Sequence, residues 1–186
     1  MNWFPLMQIG LFRGWIFLAF YLIVFIITLK TCSTEVRKRL YDRSLWNKKT
    51  KIITAIGKIF SILNLIMICL GVLVVYDIEF YIGSIFYVLG LFFLVRSIIN
   101  YRDAPLDKPI TIGLYKYSRN PQMLSIYIMF LGMVLVIGSW INLIFLGIAI
   151  SCSHFAILGE EQSLIQQYGD SYLEYKKQVA RYFLFI

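Results

Sequence analysis

The stretch "GLYKYSRNPQMLSIY", Gly113 to Tyr127, decides how the chain is read, because it sets an Arg, an Asn and a Pro at the mouth of an apolar run. A plain membrane anchor needs neither the Asn nor the Pro. Pro121 suits the first turn of a helix, where its missing N–H is no loss, and Asn120 suits the capping position before it. A helix is therefore expected to start here. Its free N–H groups would attract an anion, and Arg119 would add a full charge beside them. The same residues also suit an ordinary span whose Arg119 reaches out to lipid headgroups.

Working outward, the surroundings are membrane-like. The chain has 186 residues, of which 60% are hydrophobic and 15% charged, and its mean hydropathy is +0.74; this is far from a soluble globular composition. Crossing roughly 30 Å of hydrocarbon takes about 20 apolar residues. Five runs approach that length: Ile9 to Leu29, Ala55 to Tyr76, Phe80 to Ile99, Gln122 to Ile137 and Ile141 to Leu158. The first is too long for a signal-peptide core and has no small-residue cleavage site. The fourth would reach only about 24 Å at 1.5 Å per residue. It is joined to the fifth by "GSW", which implies an antiparallel helical hairpin. The expected fold is all-α, a polytopic bundle of about five transmembrane helices with a C-terminal helical tail. It would form one domain over residues 1–186, with three N-terminal spans and a basic loop through residue 100, followed by a ligand-binding segment, the hairpin and the tail.

Charge sets the expected orientation. Lys30, Arg37, Lys38, Arg39, Arg43, Lys48, Lys49 and Lys51 crowd the connection after the first run, while the opposite side offers Asp77 and Glu79. Positive residues mark the cytosolic face, which puts the N-terminus outside and the tail inside. Lys58, within the second run, lies near enough to that face to snorkel. The formal charge of +8 then reports orientation, and no nucleic acid is needed to explain it. Cys32, Cys69 and Cys152 are scattered without metal-type spacing and read as small apolar residues, so no metal is expected.

A second polar group follows the fifth run. Glu160 and Glu161 fall where the returning helix regains the face from which the fourth departed, so the hairpin should bring them to the Arg119–Asn120–Pro121 corner. Paired carboxylates at a membrane boundary are costly and point to a site, although ordinary capping or solvation would also suit them. His154 lies seven residues before Glu161, on nearly the same helical face, and suits either proton transfer or a hydrogen bond within the bundle. Tyr115 and Tyr117 suit an interfacial belt or a stacking wall. In the tail, Gly169 before Asp170 marks one helix ending and another beginning.

Taken in order, Gly113 and Tyr115, Arg119 to Pro121, Glu160 with Glu161, Gly169 with Tyr172 and Tyr175, and Arg181 resemble the isoprenylcysteine carboxyl methyltransferase and phospholipid methyltransferase group of integral membrane enzymes. The match covers about the last 80 residues. The resemblance implies a helical bundle that binds S-adenosyl-L-methionine in a pocket open to the cytosol and takes a lipophilic acceptor from the bilayer. It implies cofactor contacts from Gly113, Leu114, Tyr115, Asn120, Pro121, Glu160 and Glu161. It makes Arg119 and Arg181 candidates to orient an anionic acceptor; Glu161 and His154 join them as candidate catalytic residues, since an acceptor amine would have to lose a proton. Asn120 stands where the prenylcysteine enzymes have His, and Met123 where an aromatic is common. The other readings are a sterol-type membrane reductase using a nicotinamide cofactor and a non-enzymatic membrane subunit.

Overall fold

The computed structural model describes residues 1–7 and 12–182. Among these the chain forms α1 (Trp15–Lys30), α2 (Thr34–Tyr41), α3 (Lys48–Leu70), α4 (Ile78–Asp103), a 3₁₀ turn (Gly113–Lys116), α5 (Pro121–Ile137), α6 (Trp140–Tyr168) and α7 (Asp170–Gln178). No strand occurs among the described residues; there are isolated bridges, such as Met7 with Gly71. The fold is the all-α membrane helix bundle expected from the sequence. The beginning of the expected first span, Ile9–Leu11, lies outside the described residues.

Three helices, α3, α4 and α6, are long and apolar enough to cross a membrane, while α1 and α5 are apolar but shorter. On α3, Ile52, Ile56, Ile59, Ile62 and Ile66 are all exposed. An outward apolar stripe of that size would be a liability in water, and in a bilayer it is the face that meets lipid.

Boundaries move where capping overrides hydropathy. α3 starts seven residues before the expected Ala55, because Asn47 caps it by accepting a hydrogen bond from Thr50 N at 2.8 Å. It also stops at Leu70, short of the expected Tyr76. α6 runs on through the glutamate pair to Tyr168, ten residues beyond the expected Leu158, and Gly169, at φ +56°, separates it from α7.

The hairpin differs more substantially from expectation. Gly138 and Ser139 do connect α5 to α6 in a tight turn, yet the two arms do not pair along their length: α5 packs along α4, and α6 along α3. Small residues explain the choice. A Cβ on Gly90 would lie 2.4 Å from Met129 N, and one on Gly132 would lie 2.4 Å from Tyr87 N, so α4 and α5 approach backbone to backbone. α3 meets α6 at Gly57 against Cys152 and through a buried bond in which Asn142 Nδ2 donates to Asn64 Oδ1 at 2.6 Å. Splaying the hairpin leaves cavities between α3, α5 and α6, lined by Ser61, Met123 and Ser153 among others.

Candidate functional site: a buried ion clamp beside a charged cavity

Two long-range features meet where α5 begins. Glu161, about three-quarters of the way along α6, is only 3% exposed. Its Oε1 accepts from Arg119 Nε (3.1 Å), Arg119 Nη2 (2.9 Å) and Arg181 Nε (2.9 Å), and its Oε2 accepts from Arg181 Nη2 (2.9 Å). Arg119 spends its remaining nitrogen, Nη1, on the carbonyls of Lys176 (2.8 Å) and Val179 (2.6 Å). Charge-assisted, forked bonds of this kind are strong and directional. Hydrogen bonding to Glu161 raises the guanidinium pKa of Arg181 above its ordinary value, so the pair stays ionised.

The backbone is stitched along the same seam. Arg119 N donates to Ala180 O at 2.9 Å, Ser118 Oγ to Arg181 O at 3.1 Å, and Asn120 Nδ2 to Arg181 O at 3.3 Å. Asn120 stands at the cap position of α5 as expected, but its side chain makes no cap bond; it is turned to the C-terminal segment. Tyr175 donates its hydroxyl to Tyr115 O at 2.7 Å, and burial pushes its pKa up, so it remains a donor throughout the ordinary pH range. One carboxylate thus ties the start of α5, the body of α6 and the chain after α7 together.

Beside this clamp lies a cavity of about 220 Å³. Its charged and polar walls come from Arg39 and Arg43 after α1, Arg119, Asn120 and Gln122 at the start of α5, and Glu160 on α6; Tyr101, Tyr115, Tyr172 and Tyr175 supply aromatic surface. Consecutive helical residues point about 100° apart, which is why Glu160 opens into this space while Glu161 is held in the clamp. Glu160 makes no hydrogen bond or ion pair among the described residues. Gln122 Nε2 is buried without a hydrogen-bond partner. A carboxylate without a hydrogen bond, an orphan donor and three arginines facing one cavity suit a ligand that carries both signs of charge and a flat ring.

The residues expected from the sequence therefore separate into groups. Arg119, Asn120, Tyr115 and Glu160 line the cavity. Glu161 and Arg181 do not; their polar atoms are taken up by each other and by Arg119. Leu114 and Pro121 face a different, apolar groove of about 370 Å³. Gly113, at φ +56°, is pressed against the Asn100 side chain, whose Oδ1 accepts from Leu114 N at 3.0 Å; its part is to let the turn pass. His154 shares the Glu161 stripe, as the seven-residue spacing requires, and its Nδ1 lies 2.9 Å from Tyr182 Oη, adjacent to the clamp's Arg181. It lines a shallow groove with Tyr127 and Phe155 and is not in the cavity wall.

Sequence reading missed α2 and what it carries. Ser33 caps it, accepting from Val36 N at 3.3 Å, and Glu35 stands in its first turn, an ordinary helix-start signal hidden within a basic connection. Arg39 anchors this segment over the cavity by donating to Pro105 O (2.9 Å) and Lys108 O (2.8 Å) while stacking on Tyr101 and Tyr168. Gln122 was also overlooked, since nothing in a single sequence distinguishes a polar residue in the first turn from a solvated one.

Compared with known families, residues 59–171 match the phospholipid methyltransferase family, and the chain belongs to it. No curated protein and no solved structure matches the chain.

Proposed function

From membership in the phospholipid methyltransferase family, we infer that the protein is a membrane methyltransferase that uses S-adenosyl-L-methionine to methylate a lipophilic acceptor at the cytosolic membrane face. Glu160 carries this reading, as a carboxylate without a hydrogen bond or ion pair among the described residues, opening into a cavity that also holds Arg39, Arg43 and the orphan Gln122 amide. The whole chain is read as one membrane domain. The crowd of Lys and Arg after α1 supports an orientation with the N-terminus outside and the cavity inside. Glu160 lies 20 residues from the start of α6, about 30 Å along its axis, so it would sit where the hydrocarbon ends.

S-adenosylmethionine brings its own reactive methyl–sulfonium bond, and the chain's task is binding, alignment and exclusion of water. Glu160 would hold the cationic part of the donor, Arg39 its carboxylate, and Gln122 Nε2 an acceptor oxygen, with the tyrosines against its adenine. Arg119, Glu161 and Arg181 act as positioning residues, because the clamp fixes the cavity wall without presenting a free group to it. An acceptor carboxylate needs no base. An acceptor amine has to lose a proton, and Glu160 is the cavity's own carboxylate for that purpose. The acceptor is isoprenylcysteine carboxylate-like or phospholipid amine-like.

The test is transfer of a labelled methyl group from S-adenosylmethionine into lipid extracted from membranes containing the protein, with thermal shift by S-adenosylhomocysteine alongside a reduced nicotinamide. Label in the lipid fraction and a shift by the first ligand alone are expected. A shift by the nicotinamide alone would move the protein to the reductase class, and no response to either would make it a structural subunit.

A further inference from the structure

Resting on the methyltransferase reading, we propose that a second cavity between α3 and α6 is the acceptor's headgroup site, and that Lys58 and Arg43 hold a lipid phosphate there. This cavity, of about 240 Å³, is lined by Arg43, Trp46, Lys58, Ser61, Met123 and Glu160, among others. It shares Arg43, Met123 and Glu160 with the cavity assigned to the donor, so the two adjoin. Lys58 belongs to the second cavity and not to the first.

Lys58 is the unusual residue. It lies ten residues into α3, about 15 Å along the axis, and is exposed on a helix whose Ile56, Ile59 and Ile62 are exposed as well. An ammonium beside such an apolar face needs water or a counter-charge, and Lys58 has no ion pair among the described residues. Arg43 completes the pair of cations. Its Nη1 is turned to Leu40 O (3.2 Å) and Asp42 O (2.9 Å), and its guanidinium stacks 4.7 Å from the ring of Trp46, which leaves Nε and Nη2 for a ligand. A point charge and a planar fork on one cavity suit a phosphate.

The route to the donor follows from the shared wall. A lipid arriving along the isoleucine face of α3 would leave its chains in the bilayer and place its phosphate between Lys58 and Arg43. The group beyond the phosphate would then stand at Glu160, where both cavities open. Both cations precede the residues matched to the family, so they would tune acceptor choice in this chain.

The experiment uses the full-length protein in non-ionic detergent and calorimetry with three probes: a short-chain phosphatidic acid, the matching uncharged diacylglycerol and inorganic phosphate. Wild type, Lys58→Gln and Lys58→Arg are compared, and S-adenosylhomocysteine is titrated into each. The phosphatidic acid should bind wild type at least about tenfold more tightly than either other probe; Lys58→Gln should lose about tenfold of that affinity, and Lys58→Arg should keep most of it. S-adenosylhomocysteine should bind all three proteins alike. Unchanged lipid binding in Lys58→Gln, equal binding of inorganic phosphate, or a parallel loss of S-adenosylhomocysteine in Lys58→Gln would each overturn the proposal. A wild type that binds the lipid through Lys58 but never the donor analogue would instead overturn the methyltransferase reading.

Discussion

Glu160 and Glu161 are neighbours in sequence and opposites in surroundings. Glu161 receives four hydrogen bonds from two arginines and is sealed from solvent. Glu160 faces a cavity and makes no hydrogen bond or ion pair among the described residues. The difference separates two tasks that a single motif conceals. One carboxylate holds three chain segments in register, and the other is left over for chemistry. A buried charge with partners stabilises a geometry, whereas a carboxylate kept beside a cavity without a hydrogen bond points to a ligand.

The largest effect should come from breaking the clamp. Glu161→Ala leaves Arg119 and Arg181 without their counter-charge, and losing one partner of a buried network destabilises by about 3–5 kcal/mol. Thermal unfolding in detergent should show a large fall in Tm together with loss of ligand response. A Tm near wild type would mean that Glu161 braces nothing. Glu160→Gln should do the reverse. It should leave Tm almost unchanged and weaken S-adenosylhomocysteine by about tenfold, equivalent to 1.4 kcal/mol. Comparable Tm losses in the two variants would erase the distinction between them.

Smaller changes sharpen the same contrast. Tyr175→Phe removes the bond to Tyr115 O on the clamp side and should cost about 1 kcal/mol of stability, read by chemical unfolding, with ligand affinity following only weakly. Arg39→Ala acts on the cavity side. It releases α2 from Pro105 and Lys108, and a few-fold loss of S-adenosylhomocysteine affinity with little change in Tm is expected from calorimetry.

How much of this was legible in the sequence depends on the kind of signal. Apolar runs gave the helices, Asn120–Pro121 gave the start of α5, and Gly169 gave the break before α7, because each rests on local backbone chemistry. The meeting of Arg119 with Glu161 followed from hairpin connectivity alone. Helix pairing did not, since spans that are apolar on every side show no preferred face; the signal lay in Gly83 and Gly90 on α4 opposite Gly132 on α5, all small residues at close approach. Division of labour within the glutamate pair was also hidden. It depends on which side of α6 each residue occupies, and that is fixed only when Arg181 returns from the far end of the chain. Arg39 and Arg43 looked like topogenic charge, and only the fold of α2 brings them to the cavity.

The most direct measurement is calorimetric titration of S-adenosylhomocysteine into the detergent-solubilised wild type and Glu160→Gln, with Tm recorded for both. Saturable binding to wild type and an affinity about tenfold weaker in a variant of equal Tm are predicted. Absence of binding to the wild type, or identical affinity in the variant, would contradict the assignment of the cavity.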